Sequence, residues 1–153
     1  MSYKAALAGL DFGGGKAVIV GDPAAVKTEE LLVDYARFIE TFQGRYITAE
    51  DVGTTQADMD LIGEHTRFVR GTSASLGGSG DPSPITAYGV VRAMEGTAAA
   101  LWGSDSLAGR HIAINGVGKV GGPLAGLCVE RGARVTVADV SASACLLYTS
   151  RCV

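Results

Sequence analysis

"HIAINGVGKVGGPLAGLCVERGARVTVADV", residues 111–140, is the stretch on which the fold turns. A short β-forming run, His111 to Asn115, leads into Gly116, Gly118 and Gly121, which complete a GxGxxG pattern. A helical segment follows, and then a second β-forming run, Arg134 to Ala138. Strand, glycine turn, helix and strand in that order are the start of a βαβ unit. The first glycine permits the tight turn, the second lets a pyrophosphate approach the backbone, and the third lets the helix pack close to the strand. Through Lys119 and Val120 the turn enters a helix N-terminus, whose free N–H groups and positive dipole end face the phosphates. Asp139 stands 18 residues past Gly121, at the end of the second strand. A carboxylate there hydrogen-bonds a ribose 2′-hydroxyl and repels a 2′-phosphate. GxGxxG alone is equally a glycine-rich turn; with strand, helix and acid around it, it predicts dinucleotide binding, NAD over NADP.

Working upstream, residues 72–84, "TSASLGGSGDPSP", are too polar and too rich in Gly, Ser and Pro to pack as an element. Ser83 as N-cap and Pro84 at the first helical position open a long helix to about Trp102. This loop and helix divide the chain. Residues 1–83 are expected to form an α/β domain, and 84–144 a connecting helix with the first βαβ unit of a dinucleotide domain. In the first part Thr28, Glu29 and Glu30 start a helix in which Leu31, Leu32, Tyr35, Phe38, Ile39 and Phe42 recur at helical spacing, and Gly44 ends it. Residues 46–48 read as a short strand, and Thr55 to Asp58 as a capping box opening a helix through about His65. Residues 17–20, Ala-Val-Ile-Val before Gly21-Asp22-Pro23, read as a buried strand closed by a turn.

The totals bound what such a chain does. At 153 residues there is room for one ordinary domain or pieces of two. The 47% apolar and 19% charged content fits a globular protein with a real core, and 22 glycines are roughly twice the usual share. A net charge of -3 without a basic cluster argues against nucleic acid or an anionic membrane as partner. No apolar run approaches the roughly 20 residues of a membrane helix, and the N-terminus lacks a signal-peptide layout. Cys128, Cys145 and Cys152 have no metal spacing, so no metal is expected, and a reduced, cytoplasmic protein is the default.

A second glycine cluster, "GLDFGGGKAVIVGDP" at residues 9–23, presents Lys16 after three glycines. A phosphate loop needs a glycine where Leu10 stands and a hydroxyl where Ala17 stands, so that reading fails. The alternative is that the glycines, Gly14 and Gly15 among them, let a substrate or cofactor ring lie against the backbone beside Lys16, with Lys4 12 residues upstream. Two ammonium groups about 6 Å apart at an effective dielectric of about 20 repel by roughly 3 kcal/mol, about two pK units toward a neutral-pH base. On spacing alone, two solvated surface lysines are the more economical reading.

"MSYKAALAGLDFGGGKAVIVGDP", "GRYITAEDVGTTQADMDLI", "GSGDPSPITAYGV" and "GVGKVG" together resemble the Glu/Leu/Phe/Val family of amino-acid dehydrogenases, over about residues 1 to 141. The likeness is strongest to its leucine and valine enzymes. The resemblance implies that Lys4 binds the substrate α-carboxylate, that Lys16 is the catalytic base and that Asp51 assists proton transfer at the amino group. It places Thr86 at the nicotinamide end of the cofactor and Ala49 in the side-chain pocket. A methyl group there favours Leu, Val or Ile over a phenyl ring. The implied reaction is NAD-dependent oxidative deamination of a branched-chain L-amino acid, with the helix after residue 84 part of a closing hinge and the whole enzyme a homo-oligomer. Phenylalanine or another amino acid stays open as substrate, because one pocket contact discriminates by only about 1–3 kcal/mol. The family pattern starts before the first residue and continues past the second strand, whereas "CLLYTSRCV", residues 145–153, breaks it. The chain therefore reads as a partial enzyme with a foreign tail, and a non-catalytic fragment is the competing expectation.

Overall fold

The computed structural model describes residues 1–146. After Asp81 the chain divides into two compact units.

The first unit runs in the order α1 (Ser2–Leu7), α2 (Pro23–Val26), α3 (Glu29–Thr41), β1 (Thr48–Ala49), α4 (Gln56–Gly63) and β2 (Val69–Arg70), then a short 3-10 turn at Ala74–Leu76. Helix α3 starts where its caps are. The Thr28 hydroxyl accepts the Leu31 N–H at 3.2 Å, and Glu29 and Glu30 sit in the positive first turn. Leu32 and Ala36 lie on one helical face and pack with Met59 and Ile62 of α4 and Val69 of β2, forming the core of this unit. Ile62 is fully buried, and truncating such a residue to alanine costs about 2–5 kcal/mol. Thr55 and Asp58 form the capping box of α4. Strands β1 and β2 pair in parallel, Thr48 opposite Val69 and Ala49 opposite Arg70. Parallel strands need a crossover, and α4 is that crossover.

Two expectations are corrected here. Residues 17–20 are exposed and form no strand. Their β-branched side chains supply only a propensity, and a strand exists when a neighbour completes its ladder; among the described residues none pairs there. The strand expected at residues 46–48 begins at Thr48 instead. After α3, Gln43 at φ 49 and Gly44 at φ 85 turn the chain left-handed, and Arg45 N–H still bonds back to the Phe42 carbonyl. Only at Thr48, whose N–H reaches the Phe68 carbonyl at 2.9 Å, does pairing begin.

The second unit holds α5 (Ser83–Trp102), β3 (His111–Asn115), α6 (Gly121–Glu130), β4 (Arg134–Ala138) and α7 (Ala142–Leu146). Ser83 is the first helical residue rather than the cap. Pro82 holds the cap position and Pro84 the second turn position, because the Pro82 carbonyl accepts the Thr86 N–H at 2.9 Å. A proline in the first turn loses nothing, since its missing N–H would have no partner in the helix. Strands β3 and β4 pair in parallel from His111 opposite Arg134 to Asn115 opposite Ala138, with α6 as crossover. Val91 of α5, Ile114 of β3 and Leu124 and Cys128 of α6 belong to one buried cluster. The buried Glu95 of α5 accepts hydrogen bonds from Arg92 and from Arg131 beyond α6, so its charge is paired twice. Cys145 is buried with this cluster, and α7 runs on to Leu146; residues 147–153 of the tail expected to be foreign lie outside the described residues. No helix among those residues is long and apolar enough to cross a membrane.

Candidate active site

Each unit carries one cluster of the residues singled out in the sequence. In the first, Asp51 follows β1 in a tight turn. The Thr54 N–H bonds the Asp51 carbonyl at 3.1 Å, and Gly53 at φ 84 takes the third position, which only glycine adopts cheaply. Asp51 Oδ1 accepts its neighbour's N–H, from Val52, at 2.9 Å. Asp51 Oδ2 accepts a hydrogen bond from Lys16 Nζ, closing an ion pair between residues 35 positions apart. The Lys16 hydrogen bond, then the Val52 N–H, hold the Asp51 carboxyl below the usual carboxylate range, and the positive charge of Lys4 on α1 acts in the same direction. Asp51 is thus an ionised acceptor at neutral pH. The two side chains are 58% and 56% exposed, so the pair is open to an incoming molecule and its attraction is screened by water.

The structure sets the Lys16 nitrogen on the Asp51 carboxylate, and the charge of Lys4 acts on that same carboxylate, so both lysines bear on one acid. Gly14 leaves no room for a side chain: a Cβ would stand 2.4 Å from the Ser2 backbone nitrogen, at the start of the helix carrying Lys4. A Cβ on Gly15 would meet the Tyr46 ring at 3.3 Å. Ala49 is exposed on β1, two residues before Asp51. A surface depression lined by Gly63, Arg67, Arg70 and Thr72 shares none of these residues.

The second cluster is the glycine turn between β3 and α6. Gly116 has φ 92, a left-handed conformation that favours glycine. A Cβ on Gly121 would lie 1.8 Å from the Gly116 carbonyl oxygen, so only glycine lets α6 start against the turn. A Cβ on Gly118 would meet nothing within 4 Å, and Gly118 and Lys119 are exposed. Val120 caps α6 without a side-chain hydrogen bond. Asp139 Oδ2 accepts the Val117 N–H at 2.8 Å and Oδ1 accepts the Ser141 N–H at 2.8 Å. Those two bonds, Ser141 first, hold its carboxyl below the usual range. A carboxylate has about four acceptor sites, so acceptor capacity remains for a ribose hydroxyl. A helix start free of side-chain caps, beside an open glycine, fits a pyrophosphate. Thr86 turns its hydroxyl onto the Pro82 carbonyl at 2.8 Å, as a helix-start residue does. Among the described residues no group of three or more His, Cys, Asp or Glu is placed to hold a metal.

Sequence reading missed Thr54, whose hydroxyl bonds Asp51 twice, and the tie from Asp139 to the glycine turn. A hydroxyl three residues after an aspartate in "DVGT" was the available signal for the first.

The first unit thus presents a turn-mounted acid paired with a lysine, and the second an α/β unit whose glycine turn is closed by an aspartate, the layout of a dinucleotide-binding turn. Comparison with known proteins makes it specific. The profile described as Glu/Leu/Phe/Val dehydrogenase, dimerisation domain, matches residues 1–68, and Glutamate/Leucine/Phenylalanine/Valine dehydrogenase matches residues 77–150. The chain is 51% identical over 140 residues to a valine dehydrogenase of Streptomyces virginiae, covering 92% of this chain and 39% of that protein. It is 52% identical over 141 residues to a leucine dehydrogenase of Bacillus subtilis, with 92% and 39% covered. The crystal structure of L-tryptophan dehydrogenase from Nostoc punctiforme superposes with a TM-score of 0.62 at 35% identity, covering 97% of this chain and 42% of the other. The chain belongs to the Glu/Leu/Phe/Val dehydrogenase family, and it spans about two fifths of the length of these curated relatives. Members of that family generally depend on NAD or NADP.

Proposed function

We propose that this chain carries the substrate-handling acid–base pair and the first half of the dinucleotide site of an NAD-dependent dehydrogenase. Its substrates are branched-chain L-amino acids, which it converts to the 2-oxo acid and ammonium. The observation that carries the reading is the Lys16–Asp51 pair with Lys4 close enough to bias it. Gly116, Gly118, Lys119, Val120, Gly121 and Asp139, together with Thr86, would hold NAD, which would supply the hydride acceptor when bound. Lys4 fixes the α-carboxylate by charge. Gly14 and Gly15 leave the backbone bare for close approach of the substrate, and Ala49 contacts its side chain. Lys16, acting as the uncharged amine, activates the water that attacks the oxidised α-carbon. Asp51 receives and returns the proton that lets ammonia depart. Positioned acid–base groups of this kind contribute about 10²–10⁴-fold.

The names of the relatives support branched-chain substrates, and the acidic end of β4 supports NAD over NADP. The dimerisation domain that the first profile describes supports a homo-oligomer. The reading is tested by initial rates of reduced-dinucleotide formation in a full-length dehydrogenase carrying this segment. Leucine, valine and isoleucine with NAD should exceed phenylalanine, and NAD should exceed NADP. Preference for phenylalanine would overturn the substrate assignment, and preference for NADP the cofactor assignment.

A further inference from the structure

Asp51 is held at three of its four polar positions by its own turn. Its N–H donates to the Thr54 hydroxyl at 3.0 Å, and that hydroxyl donates to the Asp51 carbonyl at 2.8 Å. Oδ1 accepts the Val52 N–H. Oδ2 is bonded from outside the turn, by Lys16.

The turn does not need the Thr54 side chain to form. The Thr54 N–H already closes it on the Asp51 carbonyl, and Gly53 supplies the positive φ. What the hydroxyl adds is a bond to the Asp51 N–H. That group lies beyond the end of β1 and outside its ladder. A hydroxyl has one donor and two acceptor sites, and here it grips the backbone of one residue from both sides. The effect is to fix the backbone from which the Asp51 side chain springs, and with it the rotamer that keeps Oδ2 toward Lys16.

We propose that Thr54 is a positioning residue for Asp51, its hydroxyl clamping both backbone groups of the aspartate so that one carboxylate oxygen is presented to Lys16. The inference rests on the acid–base role of Asp51 proposed above. Misplacement of a reacting group by about 1 Å costs on the order of 10²-fold in rate, so losing the clamp should show in turnover rather than in binding.

The experiment is steady-state kinetics of Thr54→Val, Thr54→Ser and Asp51→Asn in a full-length dehydrogenase carrying this segment, with dinucleotide affinity and melting temperature measured beside them. For Thr54→Val we expect kcat lower by at least about tenfold, with the amino-acid KM and the dinucleotide Kd within about twofold. Thr54→Ser, which keeps the hydroxyl, should restore the rate, and Thr54→Val should add nothing in the Asp51→Asn background. Wild-type turnover by Thr54→Val while Asp51→Asn is inactive would overturn the clamp and leave the role of Asp51 standing. Full turnover by Asp51→Asn would overturn the role of Asp51 and the clamp with it. Equal losses in rate, affinity and melting temperature would mean a merely structural residue and would also overturn the proposal. Should the valine variant not fold, the serine variant still decides, because a tenfold loss there contradicts a role carried by the hydroxyl.

Discussion

The Val117 N–H donates to Asp139 Oδ2 at 2.8 Å, tying the residue after the first glycine of the turn to the end of the neighbouring strand. One carboxylate therefore ties down the glycine turn, and in the proposed dinucleotide site the same carboxylate would receive the ribose. Asp139→Ala should weaken NAD binding by roughly tenfold, the scale of one hydrogen bond to a charged group, and should narrow the preference over NADP. Fluorescence titration with both dinucleotides checks this. An unchanged NAD Kd with NADP still rejected would contradict both parts.

Two glycines make opposite predictions for the two ligands. Gly14→Ala drives a Cβ onto the Ser2 backbone and displaces the helix carrying Lys4, so the amino-acid KM should rise several-fold with NAD binding untouched. Gly121→Ala sets a Cβ against the Gly116 carbonyl. It should cost about 1–3 kcal/mol or more in stability and weaken NAD binding first. Kinetics and dinucleotide titration on the two variants separate the effects.

The capping box of α4 sets an acid dependence. Burial raises the Asp58 carboxyl, but hydrogen bonds from Lys27 Nζ and Thr55 outweigh it and hold it below the usual range. A carboxyl lowered in the folded state stabilises fully above its unfolded value near 4, and that contribution is lost as pH falls through the folded value. Urea unfolding should therefore show stability rising with pH below about 4 and flat above it from this group. Asp58→Asn should flatten the rise, and Thr55→Ala should cost about 1 kcal/mol at neutral pH.

How much of this was legible in the sequence depended on how local the signal was. The unit from His111 to Ala138 was readable because strand period, glycine spacing and terminal acid all lie within one short stretch, and the structure pairs those strands as expected. The Thr28 and Thr55 caps were readable for the same reason. Residues 17–20 were not, since a strand depends on a partner elsewhere in the chain. Helix α1 was missed because six residues rich in alanine carry no periodic face. The Lys16–Asp51 pair spans 35 positions, so no spacing rule joins it, and only family resemblance brought the two together in advance.

The central claim is that the amine of Lys16, steered by Asp51, performs the proton chemistry of amino-acid oxidation. Its most direct test is Lys16→Ala in a full-length dehydrogenase carrying this segment, measuring leucine oxidation and NAD affinity side by side. We expect the rate to fall by at least about a hundredfold while the NAD Kd stays within about twofold of wild type. A rate that survives, or a rate and an affinity lost together, would contradict the account.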